Sequence, residues 1–484
     1  MDFFDNDVQQ LKHDVLREIA KLAFDNELTA ENILDLASVI IPEGAERMRC
    51  CIYKERAIVG ERVKLALGGD AQKTNMVEVL KIACDECPVE GIHITQSCRG
   101  CIAHKCANSC PKDAITFVNR KAEIVKSKCI ECGRCVSHCS YGAIVKQTRP
   151  CVNACKVNAL SIDKDTKKAV IKDDKCISCG ACVYHCPFGA IMDKSYITQA
   201  IRMIRESDHN KIYKIYAVVA PSLVSQYANV PEITTGKAVT AIKQIGFHSV
   251  IEAALGADMV ASMEAEELAE KGFLTSSCCP AFVSYIEKNY PALNHHVSHN
   301  LSPMAQISKV IKQMDPTGKV IFIGPCIAKK AERQNEAVKD YVDCVLTFEE
   351  MQAMFSAKDI ELEALPETPL DNASYFGRIF AHSGGLATAV EHALKEHGIT
   401  QEQFDYKPIS CNGISECKSA LLKANKGVLS ENFIEGMICE GGCIGGPACL
   451  SHSSKDKKLV GDYGHLAIEK TIADAISIFD ENAL

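Results

Sequence analysis

Cys129-Ile-Glu-Cys132-Gly-Arg-Cys135-Val-Ser-His-Cys139 and Cys176-Ile-Ser-Cys179-Gly-Ala-Cys182-Val-Tyr-His-Cys186-Pro187 repeat one spacing of four thiols. Three thiolates on one tight loop can cap three corners of a metal-sulfide cube, and the fourth corner is reached from a distant turn. Working outward, the same unit recurs with variations. Cys98-x2-Cys101-x4-Cys106-x3-Cys110-Pro111 adds two residues, and Cys151-Val-Asn-Ala-Cys155 keeps only its second half. Four copies of Cys-x3-Cys followed by Ala-Ile or Ala-Leu therefore lie between residues 106 and 191. The chain has 27 cysteines, and 16 of them fall between Cys84 and Cys186. The start MDFFDNDVQQLKHD is acidic where an export signal would be basic and then apolar, so a reducing cytoplasm is expected. There, close thiols are metal ligands more often than disulfides.

The intact runs have bacterial ferredoxin spacing, in which the fourth Cys ligates the neighbouring cluster. The expected 4Fe-4S sets are Cys98, Cys101, Cys106 with Cys139, and Cys129, Cys132, Cys135 with Cys110. Cys176, Cys179 and Cys182 with Cys155 make a third. Cys151 and Cys186 are left over and should face one another across a vacant or unusual site. Cys84-x2-Cys87 could complete a fourth metal centre, form half a zinc site, or be plain thiols.

The rest of the chain frames this segment. Its 484 residues exceed one ordinary core, and the expected architecture is multidomain α/β and α+β. Residues 1–75 read as a helical segment, with apolar spacing through Leu11, Val15 and Ile19 and an N-cap at Thr29. Cys50 and Cys51 in it read as structural thiols. Residues 76–200 read as the ferredoxin-type domain. Residues 201–484 alternate strands (Ile212 to Val219, Lys319 to Ile323) with helices (Thr235 to Ile245, Met259 to Ala269, Leu301 to Met314), and Thr347-Phe-Glu-Glu350 is a capping box. Parallel sheets are implied, with chemistry in the loops at strand C-terminal ends. Net charge is -8, no Lys/Arg block stands out, and no run of about 18 apolar residues exists, so neither nucleic acid nor a membrane is an expected partner.

Three further loops carry cysteine: Thr275-Ser-Ser-Cys278-Cys279-Pro280, Gly324-Pro325-Cys326-Ile-Ala-Lys329-Lys330-Ala-Glu332 and Glu435-Gly-Met437-Ile-Cys439-Glu-Gly-Gly-Cys443-Ile-Gly-Gly446. In order and separation they resemble the three signature segments of the iron-only (FeFe) hydrogenases, over roughly residues 80–450. The resemblance implies a two-lobed α/β catalytic domain that interconverts protons, electrons and dihydrogen heterolytically at an H-cluster. That cofactor is a 4Fe-4S cube bridged to a di-iron unit with carbonyl, cyanide and azadithiolate ligands. By the same resemblance Cys279, Cys326, Cys439 and Cys443 hold the cube, and Cys443 also bridges to the di-iron unit. Lys329 and the loop Ala220-Pro221-Ser222 cradle cyanides, while Met437 and Phe380 wall the cavity. Cys278 is the last protein station for protons, with Glu264, Glu267, Ser298 and Glu332 as the relay. Without the resemblance, Glu264 and Glu267 are a solvated helix face and Lys329 a surface lysine.

Implied partners are protons and dihydrogen, a ferredoxin or flavodoxin-like electron carrier, and hydrogenase maturation proteins. Several positions depart from the family pattern: Gly324 stands for a methionine, Met304 for a glutamine, Ala281-Phe282 for a Gly-Trp pair, and Pro447-Ala448-Cys449 ends the last loop. Cys449 reads as an inert core thiol or a redox-active one. A slow hydrogen sensor is the second reading, and the stretch after residue 450 shows no recognisable signalling domain to favour it. A hydrogenase-like assembly protein lacking the di-iron unit is the third; the retained Cys278, Lys329 and Cys443 count against it.

Overall fold

The structure is a computed structural model that describes residues 4–44, 49, 51–88 and 90–479. Cys50 lies outside the described residues, and Cys51 is the exposed N-cap of a helix.

Three helices lead the chain: Asp7–Asp25, Ala30–Ile40 and Ile52–Ala66. Asn6 caps the first by accepting from the Val8 and Gln9 amides, and Asn26 ends it in the left-handed region. Thr29 caps the second as its sequence predicts. The apolar face of the first helix, Leu11, Val15, Leu16 and Ile19, is fully buried against the helices Ile197–Glu206 and Phe348–Ala357, so these residues share one core with the largest sheet. Lys12 is buried there with Asp193 at 2.6 Å and Glu349 at 2.5 Å. Lys330 completes the network, 2.8 Å from Asp193 and 2.9 Å from Glu350.

The cysteine-rich segment is built of short antiparallel pairs, because each Cys-x2-Cys loop consumes residues that a longer strand would need. Gly91–Ile94 pairs Ile144–Gln147, Ile115–Val118 pairs Lys121–Ile124, Leu160–Ile162 pairs Ala169–Ile171, and Val77–Val79 pairs Ile191–Asp193. Beyond it stand two parallel sheets. The first runs Ser249–Glu252, Ile215–Val219, Lys319–Gly324, Cys344–Thr347 in spatial order, and the second Leu274–Thr275, Phe433–Met437, Pro408–Asn412.

The helix Thr235–Ile245 matches its sequence limits, and the capping box at Thr347 and Glu350 is formed. Other boundaries differ: the helix expected from Leu301 starts at Pro303 behind its Ser302 cap, the strand expected to end at Ile323 ends at Gly324, and two larger shifts follow. The strand expected from Ile212 starts at Ile215, because residues 208–210 turn with positive φ and the Asn210 side chain accepts from the Ile215 amide at 2.9 Å. The helix expected over 259–269 runs Ala253–Lys271, and its start packs directly on the helix Pro303–Met314: a Cβ at Gly256 would stand 2.2 Å from Pro303 O. Among the described residues no helix is long and apolar enough to cross a membrane.

Candidate metal centre and proton-relay site

The three cysteine loops of the second half all leave C-terminal ends of parallel strands. Ser277 to Cys279 follow Leu274–Thr275, Pro325-Cys326 follow Lys319–Gly324, and Cys439 to Cys443 follow Phe433–Met437. Main-chain bonds tie the loops together: Ser276 donates to Ile434 O at 3.0 Å and Ala448 to Pro325 O at 3.2 Å. Cys439 has Cys326, Cys279, Cys179 and Cys443 as neighbours, so the four thiols expected to hold a cube converge. Burial, reinforced by the neighbouring thiols, pushes Cys326 up to about 11 and Cys443 up to about 12. Cys439 is raised as well, and buried thiols of this kind become stable thiolates only when a cationic group binds them.

Beside this cluster lies a buried cavity lined by Ala220, Pro221, Cys278, Lys329, Phe380 and Met437, together with Cys279, Cys326 and Cys443. Ser222 is fully buried but does not line it, and its hydroxyl oxygen has no hydrogen-bond partner. A lysine whose Nζ reaches only Cys278 O at 3.3 Å besides its ion pair, set in an otherwise apolar lining, fits a guest that carries an anionic group at that end of the cavity. Lys329 is buried, not the surface residue its type suggests, and pairs with Glu332 at 2.6 Å. Burial lowers its pKa, but the Glu332 carboxylate outweighs that and holds it above the ordinary value.

Two departures from the family pattern gain a physical reason. A Cβ at Gly324 would stand 2.7 Å from the Phe322 ring, which itself lines the cavity, so Phe322 fills the space a side chain at 324 would claim. Phe282 presses its ring flat against Gly436, 2.3 Å from where a Cβ would sit. Met304 lines the cavity, whereas Cys449 does not: its thiol is buried and donates to Ile444 O at 3.3 Å.

The carboxylates fall into an order. Glu264 is fully buried and faces Cys278, accepting from the Ser277 amide at 3.2 Å and hydroxyl at 3.3 Å, with its second oxygen unpartnered. Burial pushes its carboxyl up to about 8. Ser298, which lies next in the line, donates to Glu267 at 2.7 Å. Glu267 in turn meets Lys271 at 2.7 Å and the exposed His299 at 2.9 Å. Burial raises Glu267, but bonds from Lys271, Ser298 and the His299 amide outweigh it and leave it below the ordinary carboxylate value. Glu332 stands outside this line, paired to Lys329 on the wall of the surface cleft that Ser298 also lines. The sequence reading missed Ser277, Lys271, His299 and Glu435. Lys271 had a signal, four residues after Glu267 on the same helix face. Glu435 had none: it accepts from the Gly384 and Ala387 amides across more than 45 residues of chain.

In the cysteine-rich segment, Cys106 has Cys139 and Cys101 as neighbours, and Cys135 has Cys129, Cys110 and Cys132. Cys179 has Cys176, Cys155 and then Cys279, so the third set abuts the cavity cluster. Gly180 makes the contact: with φ +77, a Cβ there would stand 2.5 Å from Ile327 and 2.6 Å from Pro447. Among the described residues no group of three or more His, Cys, Asp or Glu is gathered closely enough to hold a single metal ion, whereas four thiolates around one zinc stand about 3.8 Å apart.

Comparison with known proteins places family matches on both halves. Residues 213–447 match the profile described as iron only hydrogenase large subunit, C-terminal domain, and residues 90–140 and 146–190 each match a 4Fe-4S dicluster domain. The chain is 29% identical over 405 residues to iron hydrogenase 1 of Clostridium pasteurianum, covering 72% of this chain and 69% of that protein. It is also 38% identical over 94 residues to a cytosolic Fe-S cluster assembly factor of Kluyveromyces lactis, 19% of this chain and 20% of that one. Among solved structures, an FeFe-hydrogenase from Chlamydomonas reinhardtii is 18% identical, with 58% of this chain and 92% of that chain covered and a TM-score of 0.48.

Proposed function

We propose that this chain, which carries the C-terminal domain of an iron-only hydrogenase behind two 4Fe-4S dicluster domains and is homologous to iron hydrogenases, is itself an FeFe-hydrogenase that interconverts protons, electrons and dihydrogen. The observation that carries the reading is one cavity: Cys278, Lys329, Met437 and three of the four cube thiols, from three separate loops, open onto the same buried space. Cys279, Cys326, Cys439 and Cys443 would hold the cube of an H-cluster, and Lys329, Ala220 and Pro221 would orient the diatomic ligands of its di-iron unit. When bound, that cofactor supplies the metal site at which dihydrogen is made or split.

The protein's own residues have three tasks. Ala220, Pro221, Phe322, Met304 and Phe380 keep the cavity apolar and exclude bulk water, which strengthens each remaining polar contact. The Cys278 thiol, buried and held neutral, exchanges a proton with the cavity on one side and with Glu264 on the other. Glu264 is tuned close to neutral pH, as a group that both gives and takes protons must be, and Ser298 and Glu267 carry the proton to Lys271 and His299 at the surface. Residues 76–200 would hold clusters that supply electrons, and the set to which Cys179 belongs would lie nearest the cube, since Cys179 has Cys279 as a neighbour. A ferredoxin or flavodoxin-like carrier and maturation proteins are the partners this reading requires, in the cytoplasm.

The match to a cytosolic Fe-S assembly factor favours a second reading, an assembly protein without the di-iron unit. A hydrogen-evolution assay with dithionite-reduced methyl viologen separates the two. Matured protein is expected to evolve hydrogen, with Cys278→Ala at least about 100-fold slower. No evolution from cofactor-loaded protein would remove the enzyme reading.

A further inference from the structure

Two 4Fe-4S clusters need eight thiolates, yet residues 146–190, matched as a dicluster domain, contain six cysteines: Cys151, Cys155, Cys176, Cys179, Cys182 and Cys186. The strand pairing shows where the missing two come from. The first module opens with the strand Gly91–Ile94, followed by Cys98-x2-Cys101, and closes with Ile144–Gln147, which pairs antiparallel with the opening strand. The second closes with Ile191–Asp193, and the strand that pairs with it is Val77–Val79. Val79 is followed five positions on by Cys84-x2-Cys87, as Ile94 is followed four positions on by Cys98-x2-Cys101. The first module is therefore inserted inside the second, between its opening strand and the helix Pro150–Ala154.

The thiols correspond in space as well as in order. The Ala169 amide donates to Cys84 Sγ at 3.4 Å, as Ala122 donates to Cys98 Sγ at 3.5 Å, each from the second strand of its module's hairpin. Ala190 donates to Cys186 Sγ at 3.2 Å, as Ala143 does to Cys139 Sγ at 3.3 Å. Cys84, Cys151 and Cys186 are buried in one apolar cluster, and Cys151 has Cys186, Cys84 and Cys87 as its neighbours.

Two buried cations flank the set, and among the described residues neither side chain pairs with a carboxylate. Arg62, fully buried, donates to Met192 Sδ and Phe188 O, has Cys186 beside it and leaves Nε unpartnered; among the described residues it makes no salt bridge. Arg149 is buried with Nη1 at 3.6 Å from Cys84 Sγ, and its Nε is also unpartnered. Buried guanidiniums with free donors are costly unless an anion lies among them, and a thiolate-ligated cluster is one.

We infer that Cys84, Cys87, Cys151 and Cys186 bind a fourth 4Fe-4S cluster, completing a split second module whose charge Arg62 and Arg149 offset. Cys182 of the third set has Cys151 among its neighbours, which places the fourth cluster one step further from the catalytic cavity than the Cys176 set. The assignment rests on the reading of the other cysteine sets as cluster ligands.

The test uses full-length protein reconstituted with iron and sulfide, and reads iron, acid-labile sulfide and zinc per chain with the electron paramagnetic resonance of the dithionite-reduced state. Cys84→Ala/Cys87→Ala is expected to lose about four iron and four sulfide, matching the loss from the control Cys129→Ala/Cys132→Ala. Cys87→Ser changes the more exposed thiol and leaves the buried three in place, so it tests the site even if the double variant folds poorly. It is expected to alter the signal of one reduced cluster and leave the others unchanged. Wild-type iron content and spectrum in both Cys84 and Cys87 variants, beside a control that loses four, would overturn the fourth cluster alone. One zinc per chain that vanishes in the double variant with iron unchanged would overturn it too. A control that also loses no iron would bring down the cluster reading beneath it.

Discussion

Glu264 is the residue on which the proposed proton route turns, because it is the fully buried carboxyl between Cys278 and Ser298. Glu264→Gln keeps the shape and the Ser277 bonds but cannot exchange a proton, so turnover of loaded protein is expected to fall about 100-fold or more, with iron content unchanged. Stability gives a second reading of the same group. Its folded pKa of about 8 lies above the ordinary 4.5, so the folded state keeps a proton that the unfolded chain releases. The stabilisation is complete below 4.5 and is lost as pH rises toward 8. The urea midpoint of the wild type, measured relative to Glu264→Gln, should therefore fall across that window; parallel profiles would mean that Glu264 titrates normally. The candidate ligands could be proposed from the sequence because cluster chemistry fixes thiol spacing within a few residues. The relay was legible only through family resemblance: helix spacing put Glu264 and Glu267 on one face, but nothing local says that face is buried.

At the scale of elements, the Cys179 loop and the cysteine loops of the second half of the chain touch through Gly180. Gly180→Ala would force a side chain into positive φ and against Ile327 and Pro447, costing about 1–3 kcal/mol. Its thermal midpoint should drop, with the loss confined to the junction between the two halves. An unchanged midpoint would show that these loops are not in tight contact. Helix caps at Thr29 and Thr347 could be read directly, since a cap is a contact between neighbours in sequence. The nesting of one cluster module inside the other could not. The strand Val77–Val79 finds its partner more than 110 residues later, and three-residue strands carry no pattern that names a partner.

At the scale of the molecule, the first helix, the cysteine-rich segment and the second half of the chain meet in one buried network, Lys12 and Lys330 with Asp193, Glu349 and Glu350. Lys12→Met leaves two buried carboxylates short of a counter-charge and is expected to cost about 3–5 kcal/mol, read as a shift of the denaturant midpoint. A shift within error would mean that the N-terminal helices are a loosely attached addition. The hydrophobic spacing of that helix announced a buried face, but not that the face covers the catalytic sheet. The account depends throughout on four thiols from three loops holding a cube that carries a di-iron unit. Infrared spectroscopy of protein loaded with that cofactor tests this most directly: sharp bands from iron-bound carbonyl and cyanide are expected in the wild type and absent in Cys443→Ala. A wild-type spectrum without them, from protein whose iron content is full, would contradict it.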